Sequence, residues 1–217
     1  MKVKICGLKT LENSWAACEA GADMLGFNFY KPSSRYIQAD TCRKIISQIK
    51  TAFPKIICVG VFVNHTPKQI KTVITATGLD LAQLSGNEPL DNLEQFGDFA
   101  FKALRPVTFQ EAEAKIQSIP ARTTPPAFLL DTHQKGAYGG TGKTGDWELA
   151  AEIAKKHHFL LAGGLNPENI SAAVRDVEPW GVDVATGVEK EGGRKDPNKI
   201  KIFIRNARAA SFEICRQ

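Results

Sequence analysis

The chain has 217 residues, 43% hydrophobic and 24% charged, with a formal net charge of +5. That length and composition suit one soluble domain with a sizeable core, and no run of about twenty apolar residues offers a membrane span. Basic residues never run longer than two (Arg43-Lys44, Lys155-Lys156, Arg194-Lys195), so they read as solvated helix faces. The mild positive excess fits a small anionic substrate better than nucleic acid.

Strand-like apolar runs alternate with amphipathic stretches along the whole chain. The runs are Val3–Cys6, Met24–Phe29, Ile56–Val63, Leu79–Leu84, Phe99–Leu104, Ala127–Asp131, Phe159–Ala162 and Val182–Thr186. Eight such runs are what a closed (β/α)₈ TIM barrel needs, and no linker marks a domain boundary, so residues 1–217 are expected to form one α/β domain. An open doubly wound sheet usually carries an early G-x-G-x-x-G, which does not occur here.

Helix starts carry their own signals. Thr66-Pro67 with Gln69 forms a capping box, and Asn166-Pro167 and Asp196-Pro197 repeat a cap-then-proline pattern. Asp40 and Asp146 are expected to cap the helices that follow them. Ile200, Phe203, Ile204, Ala207 and Ala210 give the last helix one apolar face.

Strand alternation places Val3 and Ile5 on one face of the first strand, with Lys4 and Cys6 on the other. In the eighth, Val182 and Val184 oppose Asp183. Apolar faces turned to the helices put Lys4, Cys6 and Asp183 inside the barrel. Closure sets strand eight beside strand one, so Lys4 and Asp183 are expected to pair, because a buried charge needs a partner.

The five cysteines are odd in number, widely spaced and without C-x-x-C, which argues against disulfides or zinc; the four histidines form no metal motif. The start of the chain lacks the apolar stretch and cleavage site of a signal peptide, so a cytoplasmic location is expected.

Chemistry in this fold gathers at the C-terminal ends of the strands. Cys6 closes the first run and Asp131 the sixth. Gly163-Gly164 and Thr186-Gly187 follow the seventh and eighth, the usual phosphate loops of the fold, where glycine lets backbone N–H groups approach the anion. Taken singly, Cys6 is an ordinary small apolar residue, Asp131 a turn residue and Arg35 a surface arginine. Gathered at one end of one barrel they form a candidate site.

Lys4-Ile5-Cys6-Gly7, Gly21-Ala22-Asp23, Gly26-Phe27, Pro32 to Arg35-Tyr36, Gly60 to Asn64, Gln83-Leu84, Leu130-Asp131, Gly139 to Gly142, Asp146-Trp147, Leu161 to Asn169 and Gly187-Val188-Glu189 occur in order. This ordered set resembles the phosphoribosylanthranilate isomerase family of tryptophan biosynthesis. The resemblance implies a (β/α)₈ barrel and a metal-free Amadori rearrangement of N-(5-phosphoribosyl)anthranilate to 1-(o-carboxyphenylamino)-1-deoxyribulose 5-phosphate, with no cofactor. It maps the general base onto Cys6, the general acid onto Asp131, the anthranilate carboxylate site onto Arg35, and phosphate binding onto Gly142, Gly164, Thr186 and Gly187. It also implies a monomer or homodimer with no nucleic-acid or membrane partner.

A free thiol has a pKa near 8.5, so a thiolate base needs help; Lys4, about 7 Å along the strand from Cys6, is expected to supply it. The chain departs from the family pattern at three places. Ser85 stands where many members have His, Gly145 where Phe is frequent, and Ala185-Thr186 where two serines are frequent. The rival histidine-pathway aminoimidazole ribonucleotide isomerases call for an Asp in place of Cys6. A binding-only barrel would keep the phosphate loops without turnover. A cysteine hydrolase would need an orienting His beside Cys6.

Overall fold

Strands buried on both faces need helices on one side and side chains filling the other, and a parallel sheet closed on itself provides both. A computed structural model describes residues 1–132, 146–190 and 193–214. The first half runs β1 (Lys2–Cys6), α1 (Leu11–Glu19), β2 (Met24–Asn28), α2 (Ala39–Ala52), β3 (Ile57–Phe62), α3 (Pro67–Thr77), β4 (Leu81–Leu84) and α4 (Asp91–Glu94). The second half runs β5 (Ala100–Leu104), α5 (Phe109–Ser118), β6 (Phe128–Asp131), α6 (Trp147–Ala154), β7 (Leu160–Ala162), α7 (Ile170–Val177), β8 (Gly181–Val184) and α8 (Pro197–Ile214). Each strand pairs in parallel with the next, and β1 pairs with β8 to close an eight-stranded barrel.

The interior and exterior cores separate by strand alternation. Met24, Val59, Phe101, Ala103, Leu129, Leu160 and Ala162 fill the barrel. Val3, Ile5, Val182 and Val184 face the helices, as their alternation requires. The face of α8 formed by Ile200, Phe203, Ile204, Ala207 and Ala210 is buried as expected. Each such large side chain contributes roughly 1.5–3 kcal/mol by leaving water. Among the described residues no helix is long and apolar enough to cross a membrane.

Three caps form as expected. Thr66 and Gln69 make a reciprocal capping box at α3, Asp146 accepts from Leu149 N at α6, and Asp196 accepts from Asn198 N and Lys199 N at α8. One helix start differs. Asp40 lies inside the first turn of α2, whose N-cap is Gln38, so Asp40 acts only through the helix dipole and a 4.0 Å contact with Arg43. At Asn166-Pro167 the regular helix starts at Ile170, one turn after Asn166, whose O accepts from Ile170 N at 3.1 Å. Asn166 Oδ1 accepts from Glu168 N and Asn169 N, while Asn169 Oδ1 accepts from Asn166 N. This reciprocal pair is a capping arrangement like that of Thr66 and Gln69, so Asn166 also caps the turn that leads into α7 as expected. The eighth strand also ends early, at Val184, and Thr186–Val188 form a 3₁₀ turn. This takes Thr186 out of the sheet and into the loop over the barrel mouth.

Candidate active site

The barrel interior below the mouth is charged. Lys4 and Asp183 face each other in the β1–β8 register, and Lys4 Nζ lies 2.8 Å from Asp183 Oδ1 with Lys4 0% exposed. The expected partnership is present. Burial opposes the charge on Lys4, yet Asp183, then Cys6, outweigh it and raise the ammonium above its usual pKa.

Cys6 comes next on the same face. Burial pushes its thiol up; Lys4 and Lys195 pull it down and Asp183 pushes it up, and the net direction is upward. Lys4 therefore acts in the expected direction but does not overcome desolvation. Gly26 sits opposite Cys6 in β2, and a Cβ there would come within 2.7 Å of Cys6 Sγ. The missing side chain is what makes room for the thiol.

Arg35 reaches the same place from the loop after β2. Its Cδ would lie 2.5 Å from a Cβ on Gly7, which also has φ +77°, so the arginine stem lies across the end of β1. Its Nε and Nη2 donate to Glu189 Oε1 and Oε2, each at 2.7 Å, and Nη2 also donates to Thr186 Oγ1 at 3.1 Å. The side edge of the guanidinium is thus occupied by Glu189. Lys195 Nζ donates to the same Glu189 Oε1 at 2.7 Å and to Ala185 O at 2.8 Å. Burial pushes the Glu189 carboxyl up, but the bonds from Arg35 and Lys195 hold it below the usual carboxylate range.

Glu189 and Lys195 escaped the sequence reading. Glu189 was visible only as the end of a Gly-Val-Glu motif. In the Arg194-Lys195 pair Arg194 is exposed, as a solvated face requires, whereas Lys195 is buried. No local pattern separates a buried lysine in a loop from an exposed one.

Asp131, at the end of β6, points inward. Arg105 Nε, from the end of β5, lies 3.1 Å from Asp131 Oδ2, and Arg105 Nη1 donates to Ser85 O at 3.0 Å. Arg105 was also missed, since a lone arginine before proline reads as a surface residue. Ser85, the departure on β4, accepts from Gln83 Nε2 at 3.0 Å, and buried Gln83 Oε1 has no partner among the described residues.

Asp131 shares a cleft of about 440 Å³ with Gly163, Gly164, Asp183, Thr186 and Gly187. The sequence-selected Asp131, Gly164, Thr186 and Gly187 are therefore brought together, with Arg35 bonded to the rim through Thr186. Gly163 and Gly164 have φ of +104° and +65°, which residues with side chains rarely adopt. A Cβ on Gly187 would fall 1.9 Å from Leu165 O, so the two phosphate-type loops touch backbone to backbone. Gly142 and Gly145 lie outside the described residues.

The sequence pattern of the N-(5′-phosphoribosyl)anthranilate (PRA) isomerases matches residues 3–206. The chain belongs to this family. An N-(5′-phosphoribosyl)anthranilate isomerase from Roseiflexus sp. (strain RS-1) is 40% identical over 216 residues, covering 97% of this chain and 99% of that one. The family's structure from Thermotoga maritima superposes with a TM-score of 0.84 at 37% identity, covering 96% of this chain and 99% of the other. A family structure in complex with reduced 1-(o-carboxyphenylamino)-1-deoxyribulose 5-phosphate gives 0.80 at 35% identity, with 96% and 99% covered. The family membership makes this barrel an isomerase, and its mouth is where the fold carries chemistry.

Proposed function

We propose that the chain converts N-(5-phosphoribosyl)anthranilate to 1-(o-carboxyphenylamino)-1-deoxyribulose 5-phosphate in tryptophan biosynthesis, as one catalytic domain, with Asp131 as general acid and Cys6 as general base. The observation that carries this reading is that the thiol and the carboxyl project inward from the C-terminal ends of β1 and β6 in a chain of this family.

As general acid, Asp131 gives a proton to the furanose oxygen. The C1′–O bond breaks as the amine lone pair forms a C1′=N iminium, which acidifies the C2′ hydrogen. Cys6 as thiolate takes that proton, and the electrons released form the C1′=C2′ bond of an enaminol. Proton gain at C1′ and loss from the C2′ hydroxyl give the ketone, and solvent returns acid and base to their starting forms. Positioned proton transfer contributes about 10²–10⁴-fold for each group.

Thr186 Oγ1 and the backbone around Gly164 and Gly187 take the phosphate, with Gly142 assigned to the same task. Arg35 takes the anthranilate carboxylate. Its side edge is engaged by Glu189, so the carboxylate meets the end of the guanidinium, at Nη1. Lys4 and Lys195 supply positive charge around the thiol.

The test follows the loss of phosphoribosylanthranilate fluorescence with folded wild type, Cys6→Ala and Asp131→Asn. Turnover by wild type with a fall of about 10² or more in each variant supports the reading. Folded wild type without turnover refutes it and directs attention to another phosphosugar, with Ser85 and Gly145 the first positions to examine.

A further inference from the structure

We propose that Glu189 is a positioning residue that holds Arg35 for the substrate carboxylate, and that Lys195 in turn holds Glu189. This rests on the carboxylate-binding role given to Arg35 above.

Arginine carries a long flexible stem, and an arginine that must bind a carboxylate in one orientation loses that freedom on binding unless it is lost beforehand. Here it is lost beforehand. Two parallel bonds to Glu189 set the plane of the guanidinium, and the third, to Thr186, sets its tilt. The stem is trapped over Gly7, where any side chain would collide with Arg35 Cδ. Among the described residues Nη1 is the guanidinium nitrogen left without a partner, and it is the one that remains for a ligand.

The charges explain why a carboxylate is needed and an amide would not serve. Arg35 Nε and Lys195 Nζ both sit 2.7 Å from the same oxygen, Glu189 Oε1. Two cations that close repel unless an anion lies between them, and the repulsion is strong where water is excluded. One carboxylate against two cations leaves the cluster with one positive charge, which still attracts an anionic substrate. Lys195 is anchored from behind by Ala185 O, and Lys199 Nζ donates to Glu189 O at 2.9 Å, so the loop carrying Glu189 is fastened on two sides.

Neutralising Glu189 removes the bridge. Lys195 then pushes Arg35 away from the thiol and the 3₁₀ turn, and the substrate ring is held less well against Cys6. A misplacement of about 1 Å at a reacting centre can cost 10²-fold.

The experiment is a double-mutant cycle on kcat/KM with Glu189→Gln, Arg35→Met and both together, with a parallel titration of anthranilate as a carboxylate probe that needs no turnover. We expect Glu189→Gln to lower kcat/KM about 10²-fold, through weaker binding and a lower kcat together, and to cost less than about 3-fold more once Arg35 is already Met. Anthranilate affinity should fall about 10-fold in Glu189→Gln, while the double variant should bind no more weakly than Arg35→Met alone. Effects that multiply across the cycle overturn the inference, because a merely structural residue acts independently of Arg35. Wild type without turnover sinks the isomerase reading alone; the titration then decides the positioning role by the same non-additivity. If Glu189→Gln does not fold, Lys195→Met enters the same cycle, with the same two outcomes.

Discussion

Replacing Lys4 by Met tests the charged floor of the site. The thioether stem keeps most of the lysine volume while the ammonium disappears, leaving Asp183 as a carboxylate without the cation 2.8 Å away. Breaking one side of a buried pair costs about 3–5 kcal/mol, a large part of a typical total of roughly 5–15 kcal/mol. For a chain of this size that lowers the melting midpoint by roughly 6–20 °C. Lys4→Met/Asp183→Leu, which removes both charges, should recover most of the loss. The chemical consequence falls on Cys6, which loses the strongest of the groups pulling its thiol down against burial. Its alkylation by iodoacetamide, followed peptide by peptide across pH 7–11, should shift to higher pH by about one unit or more. Asp183→Asn should shift it the other way. Cys18 and Cys58, pushed up by burial to about 11 and about 12, fall on other peptides and are read separately. An unchanged Cys6 profile, or a loss of less than about 1 kcal/mol in Lys4→Met, would refute the reasoning.

Two other perturbations follow from geometry. Glu88 is buried against Lys102 and accepts from Asn64 N at 2.8 Å. Burial pushes its carboxyl up, but Lys102 and these N–H bonds outweigh it and hold it below its ordinary range. A depressed carboxyl contributes stability that is complete above its unfolded pKa, near 4.3, and fades as pH falls through the folded one. Glu88→Gln should therefore cost about 3–5 kcal/mol at pH 7 in urea unfolding, and the gap to wild type should narrow below about pH 4; a constant gap contradicts the assignment. Gly187→Ala places a methyl 1.9 Å from Leu165 O, a backbone atom that no rotamer change can move aside. Calorimetric titration with inorganic phosphate should show affinity at least about 10-fold weaker, with a stability loss of about 1–3 kcal/mol; unchanged phosphate affinity would remove this loop from the proposed site.

Features that depend on repetition and on neighbours along the chain were legible before folding. Eight apolar runs separated by amphipathic stretches led to the closed barrel. Because strand side chains alternate with a period of two, the inward faces of β1 and β8 were legible, and closure then paired Lys4 with Asp183 across 179 residues. The capping box at Thr66 was equally legible, because its partner Gln69 lies one turn away. The cap at Asn166 was legible for the same reason, since its Oδ1 accepts from Asn169 N three residues on. What the loops do where they converge over the mouth depends on folding. Glu189 meets Arg35 from 154 residues away, and Arg105 meets Asp131 from 26. Lys195 is buried where it bonds Glu189 and Ala185 O. Loop positions follow no periodic pattern. Which charges face one another there depends on how separate βα units pack, and only the folded chain brings them within reach.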